Sequence, residues 1–155
     1  MNRRKQIEMS PEEILAFLEQ ERVVVASSIG PRGWPHSMPL WYVVRDGTIW
    51  AWTFRKSQKI KNLQRDPRAT VLVEAGHEYS ELRGIQLETE AVLHDDLDLV
   101  AGFAEQLTRR YAPDGEAPSP EALEAFRAQA PKRTVIEFRP VRTVSWDHRK
   151  LGGVY

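Results

Sequence analysis

The densest run of chemically capable side chains is Thr53-Phe54-Arg55-Lys56-Ser57-Gln58-Lys59, with Asn62 following. Thr53 and Ser57 offer hydroxyls, while Arg55, Lys56 and Lys59 offer positive charge. A helix predicted to open at Ser57 adds backbone N–H groups that have no intrahelical partner. Hydroxyls, cations and a helix N-terminus brought to one place hold a phosphate. Spacing alone leaves a plainer reading open, a solvated basic helix face. Elsewhere the chemistry is sparse. His36, His77, His94 and His148 are scattered, without an i,i+4 pair or the carboxylate spacing of a zinc motif. His94-Asp95-Asp96 reads as a solvated turn. A Gly-x-Ser-x-Gly elbow and a Gly-rich phosphate loop are both absent. No residue is nominated as nucleophile, general base or metal ligand.

Composition narrows the classes. The 155 residues carry 22 Lys+Arg against 22 Asp+Glu and no cysteine. Zero cysteine removes disulfides, thiol catalysis, iron–sulfur clusters and Cys-ligated zinc. Zero net charge argues against a general nucleic-acid binder. No stretch approaches the ~20 apolar residues of a membrane span, and the basic N-terminus has no apolar core behind it. The expectation is a cytoplasmic protein with no membrane or nucleic-acid partner. Neutrality hides segregation: Thr53–Arg68 sums to +5 and Glu74–Asp98 to −7.

These residues need elements to position them. Ser10-Pro11-Glu12-Glu13 is a helix start, with an N-cap, a first-turn proline and a glutamate three residues after the cap. It predicts a helix at about 10–20. Strands are predicted over 22–29, 36–44 and 48–54, with Gly30-Pro31-Arg32-Gly33 and Asp46-Gly47 as the turns between them. A short helix capped by Ser57 and stopped by Pro67 follows, then strands over 69–75 and 82–93. Helices are predicted over 97–111 and 120–130, and a last strand over 134–145, where Pro140 suggests a bulge or an edge. Trp50 and Trp52 share one strand face, fit for a core, an interface or a wall for a planar cofactor, whereas Trp41 and Tyr42 face opposite ways. Short hairpins imply antiparallel pairing. The expected fold is mainly β, a six-stranded antiparallel barrel with peripheral helices, in a single domain over 1–155 with a tail at 146–155.

The order of these pieces resembles the pyridoxamine 5′-phosphate oxidase-like superfamily of split β-barrels, in particular its flavin/deazaflavin oxidoreductase branch. The matching residues are Gly33-Trp34-Pro35-His36 with Pro39-Leu40-Trp41-Tyr42, and then Ser57-Gln58-Lys59-x-x-Asn62-Leu63-x-Arg65-Asp66-Pro67-Arg68. Leu82-Arg83-Gly84-Ile85 and Val144-Ser145-Trp146-Asp147 fit the later strands. The block from Ser57 is the most specific piece. The resemblance implies a homodimer with two cofactor sites in grooves between subunits. Thr53, Arg55, Lys56, Ser57, Lys59 and Asn62 would hold the cofactor phosphate, with Lys59 first and Ser57 second because both fall in the matching block. Pro39, Leu40 and Trp41 would lie along the ring. It implies coenzyme F420, with FMN as the alternative, and hydride transfer to a small planar conjugated substrate. The redox chemistry would then belong to the cofactor, consistent with the missing acid/base residues. The chain lacks the Arg-x-Val-Leu-Leu-Lys strand of true pyridoxamine phosphate oxidases. Two other readings on the same scaffold are a non-catalytic cofactor-binding protein and a haem binder using His36, His77 or His148.

Overall fold

The computed structural model describes residues 3–113 and 116–153. Six strands, β1 (Val23–Ile29), β2 (Pro35–Arg45), β3 (Thr48–Phe54), β4 (Arg68–Ala75), β5 (Arg83–His94) and β6 (Arg133–Asp147), form it with five α-helices. The helices are α1 (Arg3–Gln6), α2 (Pro11–Gln20), α3 (Gln58–Arg65), α4 (Leu97–Arg110) and α5 (Pro120–Arg127). Every strand pairing is antiparallel, and the strands close in the order β1-β2-β3-β6-β5-β4. Closure removes the free edges that an open sheet must protect.

Local chemistry explains most elements. The Ser10 hydroxyl accepts from the Glu13 N–H while the Glu13 carboxylate accepts from the Ser10 N–H, so the capping box is complete. Asp46 and Gly47 have φ of 48° and 73°, the left-handed pair that a two-residue hairpin turn demands. Alternation along β5 puts Ile85, Leu87, Thr89 and Ala91 inside. Opposite them, Thr89 pairs with Pro140 and Glu88 with Arg142, so Val141 is the extra residue of a bulge and is left exposed. Proline supplies no N–H to a ladder, so the bulge falls beside it.

Two apolar clusters result. The barrel interior holds Val24, Tyr42, Ile49, Val71, Ile85, Ile136 and Phe138, joined by Phe17 and Leu18 of α2 and by Ile60 and Leu63 of α3. The outer cluster lies under α4 and α5, where Val43, Trp52 and Val135 meet Val100, Phe103, Ala104 and Leu107, with Trp50 packed against them. Trp50 and Trp52 are therefore core residues. Tyr42 lies inside the barrel and Trp41 outside it, on opposite faces as predicted.

A single cation ties α2 to α4. Arg110 donates to the carbonyl oxygens of Leu18, Glu19 and Glu21, which the end of α2 leaves without intrahelical donors. The single Tyr42 hydroxyl hydrogen is shared between two of the same oxygens, Oη lying 2.6 Å from that of Leu18 and 3.0 Å from that of Glu21. Arg110→Ala is expected to cost about 2–3 kcal/mol, the scale of lost charge-assisted bonds at a largely buried site. Chemical denaturation monitored by tryptophan fluorescence tests this, and an unchanged midpoint would refute it.

Two expectations need correction. Ser57 occupies the N-cap of α3, but its side chain makes no cap bond. The segment after 146 is strand up to Asp147 and then a 3-10 turn over His148–Leu151, held by Asp147 accepting from the Arg149 N–H. His94-Asp95-Asp96 is the solvated link expected, with both aspartates exposed; within it His94 Nε2 lies 2.9 Å from Glu137, Asp95 accepts from Thr134, and Asp96 caps α4.

Candidate functional site

The barrel wall opens between β2 and β3. Their pairing runs from Arg45↔Thr48 only to Tyr42↔Ala51, although both strands continue. Pro39, Leu40 and Trp41 stay paired with β1, while Trp52, Thr53 and Phe54 stay paired with β6. Pro39 has no N–H to offer across the gap, so the ladder cannot resume at that position. Continued register would set Leu40 opposite Thr53, so Pro39–Trp41 and Trp52–Phe54 are the two stretches that flank the split.

At its floor, the buried Thr53 hydroxyl accepts from Lys59 Nζ at 3.0 Å. The backbone between them is a tight turn in which the Ser57 N–H donates to the Phe54 carbonyl. The Ser57 Oγ is buried and has no hydrogen-bond partner among the described residues. Lys59 is half-buried, and no carboxylate lies within ion-pair distance of it among the described residues. Burial, and then the neighbouring Arg133 charge, hold its ammonium below the ordinary lysine range.

Arg133 is a candidate site residue that the sequence reading did not name. It opens β6 and pairs with Phe54. Its guanidinium lies 3.6 Å from the centroid of the Phe54 ring and 4.8 Å from that of Trp52. Its hydrogen bonds go to the neutral Gln129 side chain, and burial lowers its pKa. Nothing near it in the chain marks it; only the closing of β6 on β3 brings it beside Lys59.

The other predicted residues divide by what already holds them. Arg55 is pinned to Asp95, with Nε 3.3 Å from the carboxylate, and reaches the carbonyls of Asp95 and Arg133. Lys56 is exposed. Asn62 is fully buried: its amide donates to Ser28 Oγ at 3.1 Å and its oxygen accepts from Gln58 at 2.8 Å, so it braces α3 against β1. Arg65 is spent on the Ile29 carbonyl and Arg68 on Asp66. Arg55, Arg65 and Arg68 are thus committed elsewhere and Lys56 and Lys61 are exposed, so among the described residues Lys59 is the partly buried cation of the block without a carboxylate, with Arg133 beside it. Across the opening Pro39 is exposed, Leu40 packs against the barrel core, and Trp41 is 47% exposed with its ring stacked 4.3 Å from that of Tyr111.

A buried hydroxyl without a partner and two partly buried cations without a counter-ion fit a phosphate, whose oxygens accept from all three. His36 is the second residue of β2, His77 follows β4, and His148 Nδ1 lies 2.9 Å from the Tyr79 carbonyl. Among the described residues no cluster of three metal-ligating side chains is present, and no helix is long and apolar enough to cross a membrane.

Comparison with known proteins follows this geometry. A family model described as pyridoxamine 5′-phosphate oxidase matches residues 10–147. Conserved hypothetical protein Rv2991 from Mycobacterium tuberculosis is 38% identical, with a TM-score of 0.89, over 98% of this chain and 93% of that one. An F420 reductase is 21% identical with a TM-score of 0.63, over 86% and 98% of the two chains. HutZ, the haem storage protein of Vibrio cholerae, is 13% identical with a TM-score of 0.67, over 87% and 94%. The last two share the fold with this chain. The comparison with curated proteins gives no match.

Proposed function

Because the chain belongs to the pyridoxamine 5′-phosphate oxidase family, we propose that it is an F420-dependent oxidoreductase whose cofactor phosphate sits among Ser57, Lys59, Thr53 and Arg133. The observation that carries this reading is the half-buried Lys59–Arg133 pair without a carboxylate, beside the orphaned Ser57 hydroxyl. When bound, the cofactor supplies hydride transfer at its ring. This chain's own residues do the rest. Lys59 and Arg133 neutralise the anion, the N-terminus of α3 adds its oriented N–H groups, and Pro39, Leu40 and Trp41 give the ring a wall at the open edge of β2. Asn62 acts at one remove by holding α3 in place, so its contribution is to position the Ser57–Lys59 turn. No side chain at the opening is needed as an acid or base.

A homodimer completes the proposal. The outer face of β1, β4, β5 and the end of β6 leaves Val23, Ile29 and Val141 exposed. It carries a depression of about 520 Å³ lined by Ser27, Ile29, Arg68, Glu88 and Val141. A second copy seated there would bury these apolar residues.

Parallel fluorescence titration with F420 and FMN tests the function. F420 is expected to bind with at least micromolar affinity, on the order of 8 kcal/mol, and more tightly than FMN. Sedimentation of the same samples is expected to give a dimer. Failure of both cofactors to bind would remove the reading, and FMN binding alone would move it to a flavoprotein.

A further inference from the structure

A second cavity lies on the outside of the barrel at the top of the split, between β2 and the α4–α5 pair. Its volume is about 400 Å³, the scale of a small-molecule site. Its lining includes Trp41, Tyr111, Thr108, Ala122 and Phe126, and among the described residues the one carboxylate or amine that lines it is Glu116. Aromatic rings set its walls. Tyr111 stacks on Trp41 at 9° between planes, and Phe126 stacks on Trp52 at 12°. Tyr111 is held from its other end, because its hydroxyl meets the carbonyls of Arg22 and Tyr42 and the Tyr42 N–H. Two guanidiniums approach the Tyr111 ring, but Arg22 donates to the Arg110 carbonyl and Arg110 to the end of α2. Neither lines the cavity.

The charge pattern is the opposite of that at Lys59. Among the described residues the phosphate-type site offers two cations without counter-ions, whereas this cavity offers flat apolar walls, the Thr108 and Ser119 hydroxyls, already bonded to the Ala104 carbonyl and the Ala122 N–H, and no cation. An anionic ligand would lose its hydration there and gain no partner. We infer that this cavity binds a neutral, planar, apolar molecule and excludes phosphorylated or carboxylated ones. Trp41 borders both places, which makes the cavity the substrate pocket of the proposed oxidoreductase; that assignment rests on the proposed function, whereas the binding itself does not. The inference separates this chain's substrate from a pyridoxamine phosphate ester, whose phosphate would need a cation here.

Two fluorescent probes with one skeleton test it. N-phenyl-1-naphthylamine is neutral, and 8-anilinonaphthalene-1-sulfonate adds an anionic group. The neutral probe is expected to give saturable fluorescence enhancement at one site per chain. The sulfonate is expected to bind more than about tenfold more weakly, since an unpaired anion costs well over the 1.4 kcal/mol that tenfold represents. Ala122→Trp, which fills the cavity from α5, should abolish neutral-probe binding while F420 or FMN affinity stays at the wild-type value. Trp41→Phe should reduce energy transfer from tryptophan to the bound neutral probe, a readout that does not depend on Ala122→Trp folding. No saturable binding of the neutral probe, equal binding of the sulfonate, or binding untouched in a folded Ala122→Trp protein would each overturn the inference. Cofactor binding without probe binding would sink the cavity alone; probe binding without cofactor binding would leave the cavity standing and sink the proposed function.

Discussion

Lys59→Ala is expected to weaken F420 or FMN binding by about 1–3 kcal/mol, roughly five- to 150-fold, the scale of one charge-assisted hydrogen bond lost at a partly desolvated site. The magnitude follows from the environment. A solvated surface lysine is screened and loses little on truncation. Lys59 is half-buried, 3.0 Å from Thr53 Oγ1, and has no carboxylate to release before it meets an anion. Its titration gives the sign of the pH dependence. Burial and Arg133 hold its pKa below the ordinary lysine range, and a bound anion would raise it. Affinity is therefore greatest while Lys59 is protonated and falls as pH rises through the free protein's Lys59 pKa. That fall begins at a lower pH than for a solvated lysine, and Lys59→Ala should flatten that alkaline limb. For stability the sign is reversed. A base whose pKa is depressed on folding opposes folding at neutral pH, and this penalty fades as pH rises through the folded-state pKa and is gone above the unfolded lysine value. Lys59→Met should accordingly keep or raise the melting temperature while losing cofactor affinity. Titration and thermal melts on the same samples decide it: a variant that binds normally, or that loses stability along with binding, would count against a phosphate at this turn.

The second large effect lies in the barrel wall. Gly84→Ala is expected to destabilise the fold by about 1–3 kcal/mol through overpacking. Gly84 on β5 stands directly opposite Trp146 on β6, and a Cβ at position 84 would lie 2.4 Å from Trp146 Cζ2 and 2.8 Å from Cε2. The indole lies across the backbone of the glycine, so the two positions form one unit. Trp146→Ala in the Gly84→Ala background should recover part of the loss, giving a coupling energy in a double-mutant cycle that independent sites would not show. Urea denaturation of the four proteins provides the measurement, and additive losses would contradict the account.

That pair also shows how far the sequence could be read. Leu82-Arg83-Gly84-Ile85 and Val144-Ser145-Trp146-Asp147 are separate motifs along the chain. Their pairing explains why a glycine and a tryptophan are both required, but nothing local to either states it. The same division runs through the candidate site. Thr53, Ser57 and Lys59 are near neighbours in the chain, so their meeting at one turn follows from a strand running into a helix. Asn62 falls in the same motif, yet the structure gives its amide to Ser28 and Gln58. The helical period could place it on a face but could not say whether that face met the barrel or the opening.

What the sequence determined by itself is what short-range physics encodes. The period of two in the strands, the capping box at Ser10, the Asp46-Gly47 turn and the helix break at Pro67 define the elements and, through short hairpins, an antiparallel barrel. The presence of a +5 segment was also legible, but its use was not. Closure of β6 onto β3 brings Arg133 to Lys59, while Asp95, Ile29 and Asp66 engage Arg55, Arg65 and Arg68. The tertiary structure alone decided which charges remain without a counter-ion, because neutralisation depends on distance in space, and these contacts join residues that the chain itself keeps far apart or leaves free to pair elsewhere.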